Sequence, residues 1–282
     1  MSLEKKYTKH DENLNQFDIP YTKTKEDIWN YLSESIENEA SDNKGVIITK
    51  RKSFWYSAAA VIILLIGLTA FLNLYTVELL APKGQHISSE LPDGSIVTLN
   101  AQTSLTYKPY WWKFSRGVRL SGEAFFEVKK GSKFTVLSEK GNTEVLGTSF
   151  NIFARDDIYR VHCLTGKVRV LSLTVNEILT PGHSITITKQ NIMRNSSEEM
   201  KEDITAWIDN RFVFTSVPVK QVFEELERQF DIHIILTEEI NDLYSGNFKR
   251  GSSPDDILKL ICKPLGLEYY KTQLNTFEIK KP

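Results

Sequence analysis

The longest apolar run in the chain extends from Ser53 to Val77, 25 consecutive residues without a charged side chain. A helix over its most apolar part, Phe54 to Leu74, spans about 31 Å, close to the thickness of the hydrocarbon core of a bilayer. A soluble core helix of this length normally keeps a polar stripe, and a secretory signal begins near the first residue with a shorter apolar segment. We therefore predict one transmembrane helix over residues 53–76.

A shorter helical pattern precedes this run at residues 24–40. Thr24, followed three positions later by Asp27, resembles a capping box. One face of the predicted helix is apolar, and its residues are Ile28, Trp29, Leu32 and Ile36. A lone helix this short buries little surface by itself. The stripe therefore either lies on the membrane or binds a partner protein, and the sequence leaves both open.

After the apolar run the pattern changes to short stretches of period two. Strand-length stretches fill residues 77–188, separated by Gly, Pro, Asn or Asp, and no helical pattern interrupts them. Residues 92–94 and 165–167 are typical of tight turns. We predict a mainly β domain over residues 77–188, arranged as an antiparallel sandwich or roll.

The last third of the chain mixes the two periods. Residues 189–204 lose the alternation and are predicted to be a linker or a weak helix. Residues 205–282 follow the order β-α-β-β-α-β-β, with Pro218 suited to the first turn of one helix and Ser253 to the N-cap of the other. We predict a compact α+β domain over residues 205–282.

The distribution of basic residues predicts how the chain is oriented across the membrane. Residues 76–90, after the apolar run, contain a single base, Lys83. The bases just before the run are Lys44, Lys50, Arg51 and Lys52. The positive-inside bias places residues 1–52 in the cytoplasm and everything after the helix on the other side. Overall, 35 basic and 36 acidic residues nearly cancel, so no polybasic surface indicates direct nucleic-acid binding.

The sequence contains no convincing catalytic or metal-binding constellation. Residues 147–149 miss the spacing of a phosphate loop and predict a bulge or turn. His162 and Cys163, neighbours on one strand, point to opposite faces and cannot ligate one metal. Glu123 and Glu127 lie about 13 Å apart on a strand, too far for an acid–base pair; Glu123 is expected to be solvated or to fix a turn. We predict no enzymatic activity, no cofactor and no metal.

Cysteines and clustered aromatic residues have structural interpretations. Cys163 and Cys262 fall in different predicted domains, and each is expected to be a small buried residue rather than half of a disulfide. A cluster of aromatic residues is expected to cover the end of a core, with stacking on a sugar as the alternative. These residues are Tyr107, Tyr110, Trp111 and Trp112.

Five strings, in order, resemble the signature of FecR-type transmembrane sigma-factor regulators. They are LPDGS (91–95), LSGEAFFEV (120–128), LGTSFN (146–151), GKV (166–168) and PG (181–182). The residues that carry the match are Leu91, Asp93, Gly94, Gly122, Glu123, Phe126, Gly147, Thr148, Phe150, Gly166, Pro181 and Gly182. Residues 207–234 also resemble the small C-terminal domain that commonly follows in this family, so the resemblance covers about residues 88–282.

The resemblance implies a non-enzymatic anti-sigma factor in the inner membrane of a Gram-negative cell, with a cytoplasmic N-terminus and periplasmic C-terminal domains. A TonB-dependent outer-membrane receptor would present its N-terminal signalling domain in the periplasm. The cytoplasmic segment would hold an extracytoplasmic-function sigma factor. The C-terminal domain would resemble the secretin/TonB short N-terminal fold, whose exposed strand edges suit pairing with the receptor.

The cytoplasmic segments of this family are often fuller helical domains than the 52 residues present here. Ile28, Trp29, Leu32 and Ile36 are therefore the expected contacts with the sigma factor. The alternative function is a membrane-tethered periplasmic module that binds glycan or peptidoglycan and has no signalling role. The stripe on the N-terminal helix distinguishes the two, because a relay needs it and a tether does not.

Overall fold

A computed structural model describes residues 23–42, 50–196, 201–249, 251 and 253–282. The predicted tail positions 1–22 and 43–49, which include Lys44, and positions 197–200 of the predicted linker lie outside the described residues. Two helices open the described chain: α1, Lys25–Asp42, and α2, Lys50–Leu74. The stretch Trp55–Leu74 of α2 is long and apolar enough to cross a membrane, as the sequence indicated. The bases Lys50, Arg51 and Lys52 form its first residues.

Thirteen short strands follow and belong to one continuous sheet, which we name the β region (residues 77–196). The strands are β1 Val77–Ala81, β2 Ile87–Glu90, β3 Ile96–Leu99, β4 Thr103–Tyr107, β5 Arg116–Glu127, β6 Phe134–Leu137, β7 Asn142–Val145, β8 Ser149–Arg155, β9 Ile158–Cys163, β10 Val168–Leu171, β11 Asn176–Leu179, β12 His183–Ile187 and β13 Ile192–Ser196. The prediction of a mainly β chain is confirmed at this level.

The long strand β5 belongs to both layers of the β region. Its first half pairs with β4 and β6, and from there the sheet continues through β7 and β10 to β11, with β1 on the outer side of β4. Its second half pairs with β3 and β8, and the sheet continues through β9 and β12 to β13, with β2 beyond β3. Buried side chains from both layers, among them Val97, Phe126 and Phe134, form one core cluster.

The sequence predicted antiparallel pairing throughout the β region, but one of its strand pairs is parallel. β5 and β6 are parallel, with Arg116 opposite Phe134. The physical reason is the path of the chain after Glu127, which returns to the start of β5. The guanidinium of Arg116 holds that return segment by donating to the carbonyl of Lys129 at 3.0 Å and to the carbonyl of Ser132.

The prediction that residues 189–204 form a linker or weak helix is wrong for their first part. Residues Ile192–Ser196 are strand β13, which pairs antiparallel with β12. This strand lies at the end of its layer and is mostly exposed. Because neither face of an exposed edge strand is fully buried, its sequence carries no apolar alternation by which it could be recognised.

The remaining elements form what we name the C-terminal region (residues 201–282). They are α3 Lys201–Ile204, β14 Arg211–Pro218, α4 Val219–Phe230, β15 His233–Leu236, β16 Leu243–Lys249, α5 Pro254–Cys262, β17 Glu268–Gln273 and β18 Thr276–Lys280, with 3-10 turns at Ala206–Asp209 and Lys263–Leu265. From β14 onward the order is β-α-β-β-α-β-β. β14 pairs with β16, while β18 lies between β15 and β17 and is parallel to β15.

Local sequence explains both main helices of the C-terminal region. The hydroxyl of Ser253 accepts from the Asp256 amide, and Asp256 accepts from the Ser253 amide, which closes a capping box at the start of α5. In α4, Val219, Val222 and Leu226 recur at helical spacing and are buried. They pack into a second hydrophobic cluster, separate from that of the β region.

Candidate functional site

The apolar stripe predicted on the N-terminal helix is present and exposed on α1. The helix begins with the expected cap, since the Thr24 amide donates to the Asp27 carboxylate at 2.9 Å and the Asp27 amide donates to the Thr24 hydroxyl at 3.3 Å. Trp29 is 73% exposed, Leu32 43% and Ile36 61%. Ile28 lies beside Trp29 and Leu32 on this face. A lone helix that exposes this much apolar surface is a candidate interaction surface.

Among the signature residues, Asp93 organises a turn between β2 and β3. Its carboxylate accepts from the Ser95 amide at 2.9 Å and from Arg116 Nε at 2.7 Å. Although partial burial works in the opposite direction, these hydrogen bonds lower the pKa of Asp93. Gly94 donates its amide to the carbonyl of Leu91 at 2.8 Å and closes the turn predicted there. The turn therefore ties the start of β5 to the β2–β3 connection.

Most of the other signature residues fill the core or occupy turns. Phe126 and Phe150 are fully buried, and their rings stack at 5.0 Å between centroids. Thr148, two positions before Phe150, is also buried. Four signature glycines lie outside the strands and have a positive φ: Gly94, Gly147, Gly166 and Gly182. Pro181 lies in the turn that the His183 amide closes by donating to the carbonyl of Thr180 at 3.0 Å.

Gly122 marks the point at which β5 changes layers. Its φ of +121° is a conformation that L side chains rarely adopt. A Cβ placed there would lie 2.8 Å from the Cα of Thr103. The Thr103 hydroxyl occupies this space and accepts from the Glu123 amide at 3.1 Å. The missing side chain thus allows β5 to leave β4 and continue beside β3 and β8.

Directly after this point, Glu123 belongs to a chain of polar side chains, all buried except the half-buried His86, that connects the β region to the C-terminal region. We name it the polar seam: Asn151, Glu123, Asn100, Gln229 and His86. Asn151 and Asn100 each donate an amide hydrogen to the Glu123 carboxylate, at 2.9 and 2.8 Å. Gln229 of α4 donates to the side-chain oxygen of Asn100 at 2.6 Å and accepts from His86 Nε2 at 3.0 Å.

The end of α4 makes further contacts across the same boundary. The carbonyl of Arg228, in the last turn of the helix, accepts from the Gly84 amide at 2.8 Å. The last carbonyls of a helix have no partner inside it, so the β1–β2 connection satisfies one of them. The rings of His86 and Trp207 meet edge to face at 5.3 Å. The two regions are thus joined by hydrogen bonds and ring packing as well as by the chain.

Two titratable groups lie on the β-region side of the seam: Glu123, which is buried, and Arg155, which is half-buried. Burial raises the pKa of Glu123, the nearby Glu225 of α4 raises it further, and Arg155 and the two amides oppose the rise. Burial also lowers the pKa of Arg155, which donates to the carbonyls of Gln102 at 2.8 Å and Ala101 at 2.6 Å. The charge of Glu225 therefore reaches across the boundary to both groups.

An open cleft of about 560 Å³ lies beside the seam. Ser104, Gly122 and Arg155 line it from the β region, and Arg228 closes it from α4. Both signs of charge occur in its wall, because Lys140 and Asp156 also line it. Such a mixed and open surface does not single out a ligand.

The described residues hold no cluster of three or more His, Cys, Asp or Glu side chains placed to bind a metal ion. Cys163 and Cys262 are both free and buried, as predicted. Burial raises the pKa of Cys163 to about 11 and that of Cys262 to about 12, so neither is a reactive thiolate. Burial, and then the nearby Arg160, lowers the pKa of His162 to about 3. These groups are suited to packing rather than to catalysis.

Sequence reasoning missed most of the polar seam. It interpreted Glu123 as a solvated or turn-fixing carboxylate, but only 9% of this residue is exposed and it lies at the centre of the seam. Gln229 could have been found, because it falls three positions after Leu226 on the buried face of α4 and is 0% exposed. Asn100 and Asn151 carry no such signal, since their partners come from distant parts of the chain.

Together these features define a class of protein: a mainly β body joined to a smaller α+β part, behind a helix suited to crossing a membrane. Family models narrow the class further. The model described as FecR protein matches residues 78–169, and the model described as FecR, C-terminal, matches residues 211–279. The chain belongs to the FecR family, with the C-terminal domain that accompanies it.

Two solved structures from Parabacteroides distasonis ATCC 8503, each named as that of a candidate anti-sigma factor, are similar to this chain. The first, at 2.50 Å resolution, is 29% identical with a TM-score of 0.69, and the match covers 74% of this chain and all of that one. The second, at 1.65 Å resolution, is also 29% identical with a TM-score of 0.68 and covers 73% of this chain and 99% of that one. A comparison with curated proteins gives no match.

Proposed function

We propose that this protein is a non-enzymatic regulator of an extracytoplasmic-function sigma factor, anchored in the inner membrane by α2. In this proposal the N-terminal segment lies in the cytoplasm and binds the sigma factor. The β region and the C-terminal region lie in the periplasm and receive a signal from a TonB-dependent receptor of the outer membrane. Family membership and the likeness to two candidate anti-sigma factors support this assignment.

The observation that carries the proposal is the exposed apolar stripe on α1. Ile28, Trp29, Leu32 and Ile36 recur on one helix face, and Trp29 and Ile36 are more than half exposed. A relay protein needs such a surface on the side of the sigma factor, whereas a membrane tether for a glycan-binding module does not. An amphipathic helix that binds in a partner's groove uses anchors at this spacing.

Sidedness is supported by the charges around α2. Lys50, Arg51 and Lys52 open the helix, and the first base after it is Lys83. Basic residues favour the cytoplasmic end of a membrane helix. In this orientation α1 would lie in the cytoplasm, and both folded regions would lie on the other side of the membrane.

The C-terminal region offers a strand edge for the receptor. Among the described residues β17 pairs only with β18, so its other edge is available for a further strand. Its side chains are largely exposed, including Tyr270 at 48%. Pairing along this edge by the receptor's N-terminal signalling domain would add main-chain hydrogen bonds in register. The polar seam then connects the receiving region to the body that continues into α2.

The proposal is tested by replacing two apolar residues of the stripe on α1 with alanine. The double variant Trp29→Ala and Leu32→Ala should weaken binding of the cognate sigma factor by about thirtyfold, since losing two apolar anchors costs about 2 kcal/mol or more. The measurement is co-purification of the full chain, in detergent, with the extracytoplasmic-function sigma factors of the same cell, followed by titration of the one retained.

The matched control is the double variant Asn30→Ala and Glu34→Ala, two exposed residues on the opposite face of the same helix. It should retain the sigma factor as the unmodified chain does. Equal retention by the Trp29 and Leu32 variant would contradict the proposal. Equal loss in both variants would point to the helix as a whole rather than to its apolar face.

A further inference from the structure

The connection between β4 and β5 presents aromatic side chains that the core does not use. We name residues 108–115 the aromatic loop. Trp112 anchors it, being 5% exposed and packed edge to face on Tyr107 at 5.7 Å and on Phe134 at 5.9 Å. By contrast, Tyr110 is 56% exposed and Phe114 is 76% exposed. The loop is therefore fixed from within and keeps part of its apolar surface on the outside.

This loop is held against the end of α2. Lys108 Nζ donates to the side-chain oxygen of Asn73 at 3.0 Å. The rings of Tyr110 and Tyr75 lie 5.2 Å apart, and Tyr75 in turn lies 6.0 Å from Phe71 of the helix. Asn73 and Tyr75, at the end of the helix and just after it, thus contact the loop, and Phe71 packs behind Tyr75.

The backbone allows little separation between the aromatic loop and the end of α2. Only Tyr75 and Thr76 lie between α2 and β1, and two residues span at most about 7 Å. β1 then pairs with β4, with Val77 opposite Tyr107, the last residue before the loop. Moving the loop away from the helix end would require unpairing β1 from β4.

These contacts determine the depth of the loop if α2 crosses a bilayer. The apolar stretch of 20 residues, Trp55–Leu74, is about 30 Å long and matches the hydrocarbon core. Its end at Leu74 then lies at the boundary of that core, and Tyr75 lies in the headgroup zone. Tyr110, in ring contact with Tyr75, lies at the same depth. Aromatic rings with one polar end favour this zone.

The charge of the loop suits the same environment. Lys108 and Lys113 belong to it, and there is no acidic residue between Tyr107 and Gly122. Lys113 is exposed. Basic side chains next to a membrane helix are attracted to anionic headgroups by about 1 kcal/mol each.

We propose that the aromatic loop lies in the headgroup region of the bilayer that α2 crosses, with Phe114 at the acyl boundary and Lys113 at the lipid phosphates. This inference rests on the proposed membrane crossing. It gives the β region a second attachment beside the helix, so that the body has a defined orientation on the membrane instead of swinging on one segment. A displacement of the body would then move the end of α2 directly.

The test measures lipid contact at Phe114 in the full chain reconstituted in nanodiscs. A small fluorophore on Phe114→Cys should be quenched about twofold by a lipid with a nitroxide near its headgroup, because interfacial side chains lie about 5–10 Å into that region. The buried Cys163 and Cys262 should react slowly with the dye. The same dye on Leu173→Cys, a fully exposed position between β10 and β11, should not be quenched.

A third site separates the inference from the membrane crossing itself. The dye on Leu64→Cys, in the middle of α2, should be quenched by a nitroxide near the end of the acyl chain. Quenching at Leu64 with none at Phe114 would overturn the surface contact and leave the crossing intact. Absence of quenching at both would overturn the two together. If soluble peptidoglycan fragments, but not lipids, alter the emission at Phe114, the loop is a sugar-binding surface and the proposal fails.

Discussion

Glu123 carries a carboxyl group into the interior of the protein and gives it two amide donors there. Asn100 and Asn151 each contribute one hydrogen bond, at 2.8 and 2.9 Å. These donors do not offset the loss of water, since burial and then Glu225 raise the pKa of Glu123. Glu123 therefore links Asn100 and Asn151 within the seam, and its titration makes the stability of the fold depend on pH.

The pH dependence has a definite sign. A raised pKa means that the folded state binds the proton of Glu123 more tightly than the unfolded state does. The free energy of unfolding should therefore fall as the pH rises above about 4.3, the ordinary pKa of glutamate. Relative to Glu123→Gln, the unmodified chain should lose stability as the pH rises above this value. Thermal unfolding of both proteins in one detergent, from about pH 4 upward, measures the difference.

Glu127→Gln is the control, since Glu127 lies on the same strand but is exposed. It should follow the unmodified chain at every pH. A Glu123→Gln curve parallel to that of the unmodified chain would show that Glu123 keeps the same protonation in the folded and unfolded states, against this expectation.

At the scale of elements, β5 holds the two layers together. Its first six residues belong to one layer and its last six to the other. The change occurs at Gly122, where the positive φ and the approach of Thr103 leave no room for a side chain. The strand is also the origin of Glu123, so the same local conformation places the buried carboxylate opposite α4.

Gly122→Ala should therefore be strongly destabilising. A non-glycine residue in this region of φ costs about 1–3 kcal/mol, and the contact with the Thr103 backbone adds to it. We expect a total loss of about 2–4 kcal/mol in the free energy of unfolding, measured by denaturant unfolding in detergent.

The same strand offers a matched glycine. A Cβ at Gly117 would meet its nearest atom, the Ser115 hydroxyl, at 3.5 Å, an ordinary contact, and its φ is not positive. Gly117→Ala should change the stability by no more than about 0.5–1 kcal/mol. Similar losses in the two variants would argue against Gly122 as the point where β5 changes layers.

At the scale of the whole molecule, the polar seam connects two separate hydrophobic cores. The β region and the C-terminal region each have their own cluster of buried residues. Between them, Gln229 donates a hydrogen bond to Asn100 and accepts one from His86, and the Gly84 amide donates to the Arg228 carbonyl. A polar boundary of this kind is more easily reopened than an apolar one, because its groups can be satisfied by water when they separate. That property suits a part that has to respond to a partner.

Gln229→Ala should loosen this boundary without unfolding either core. Losing the buried hydrogen bonds of Gln229 should cost about 1–3 kcal/mol. Hydrogen exchange of the full chain should show faster exchange at the Gly84 and Asn100 amides, with no change at Ile185, which is fully buried in the β region. Lys220→Ala, an exposed change on the same helix, is the control. Equal acceleration at Ile185 would mean global destabilisation instead.

How much the sequence predicts depends on how local the cause is. That α1 and α2 are helices follows from a capping box and an uninterrupted apolar run, although α2 begins at Lys50, three residues before that run. The order of strands and helices after Arg211 follows from hydrophobic period and from caps such as Ser253. Strand β13 was missed because an exposed edge strand shows no alternation, and the β5–β6 pairing because register depends on the return path of the chain.

The candidate functional sites show the same contrast between features that depend on neighbouring residues and features that depend on distant ones. By itself the sequence determined the apolar membrane-length helix, the amphipathic stripe of α1 and the family signature, because each is written in neighbouring residues. Only the tertiary structure placed Gln229 against Asn100 and Tyr110 against Tyr75, since these partners are 129 and 35 positions apart in the chain. Contacts across such distances depend on how two cores and a helix end come together in space, and local sequence patterns carry no record of that.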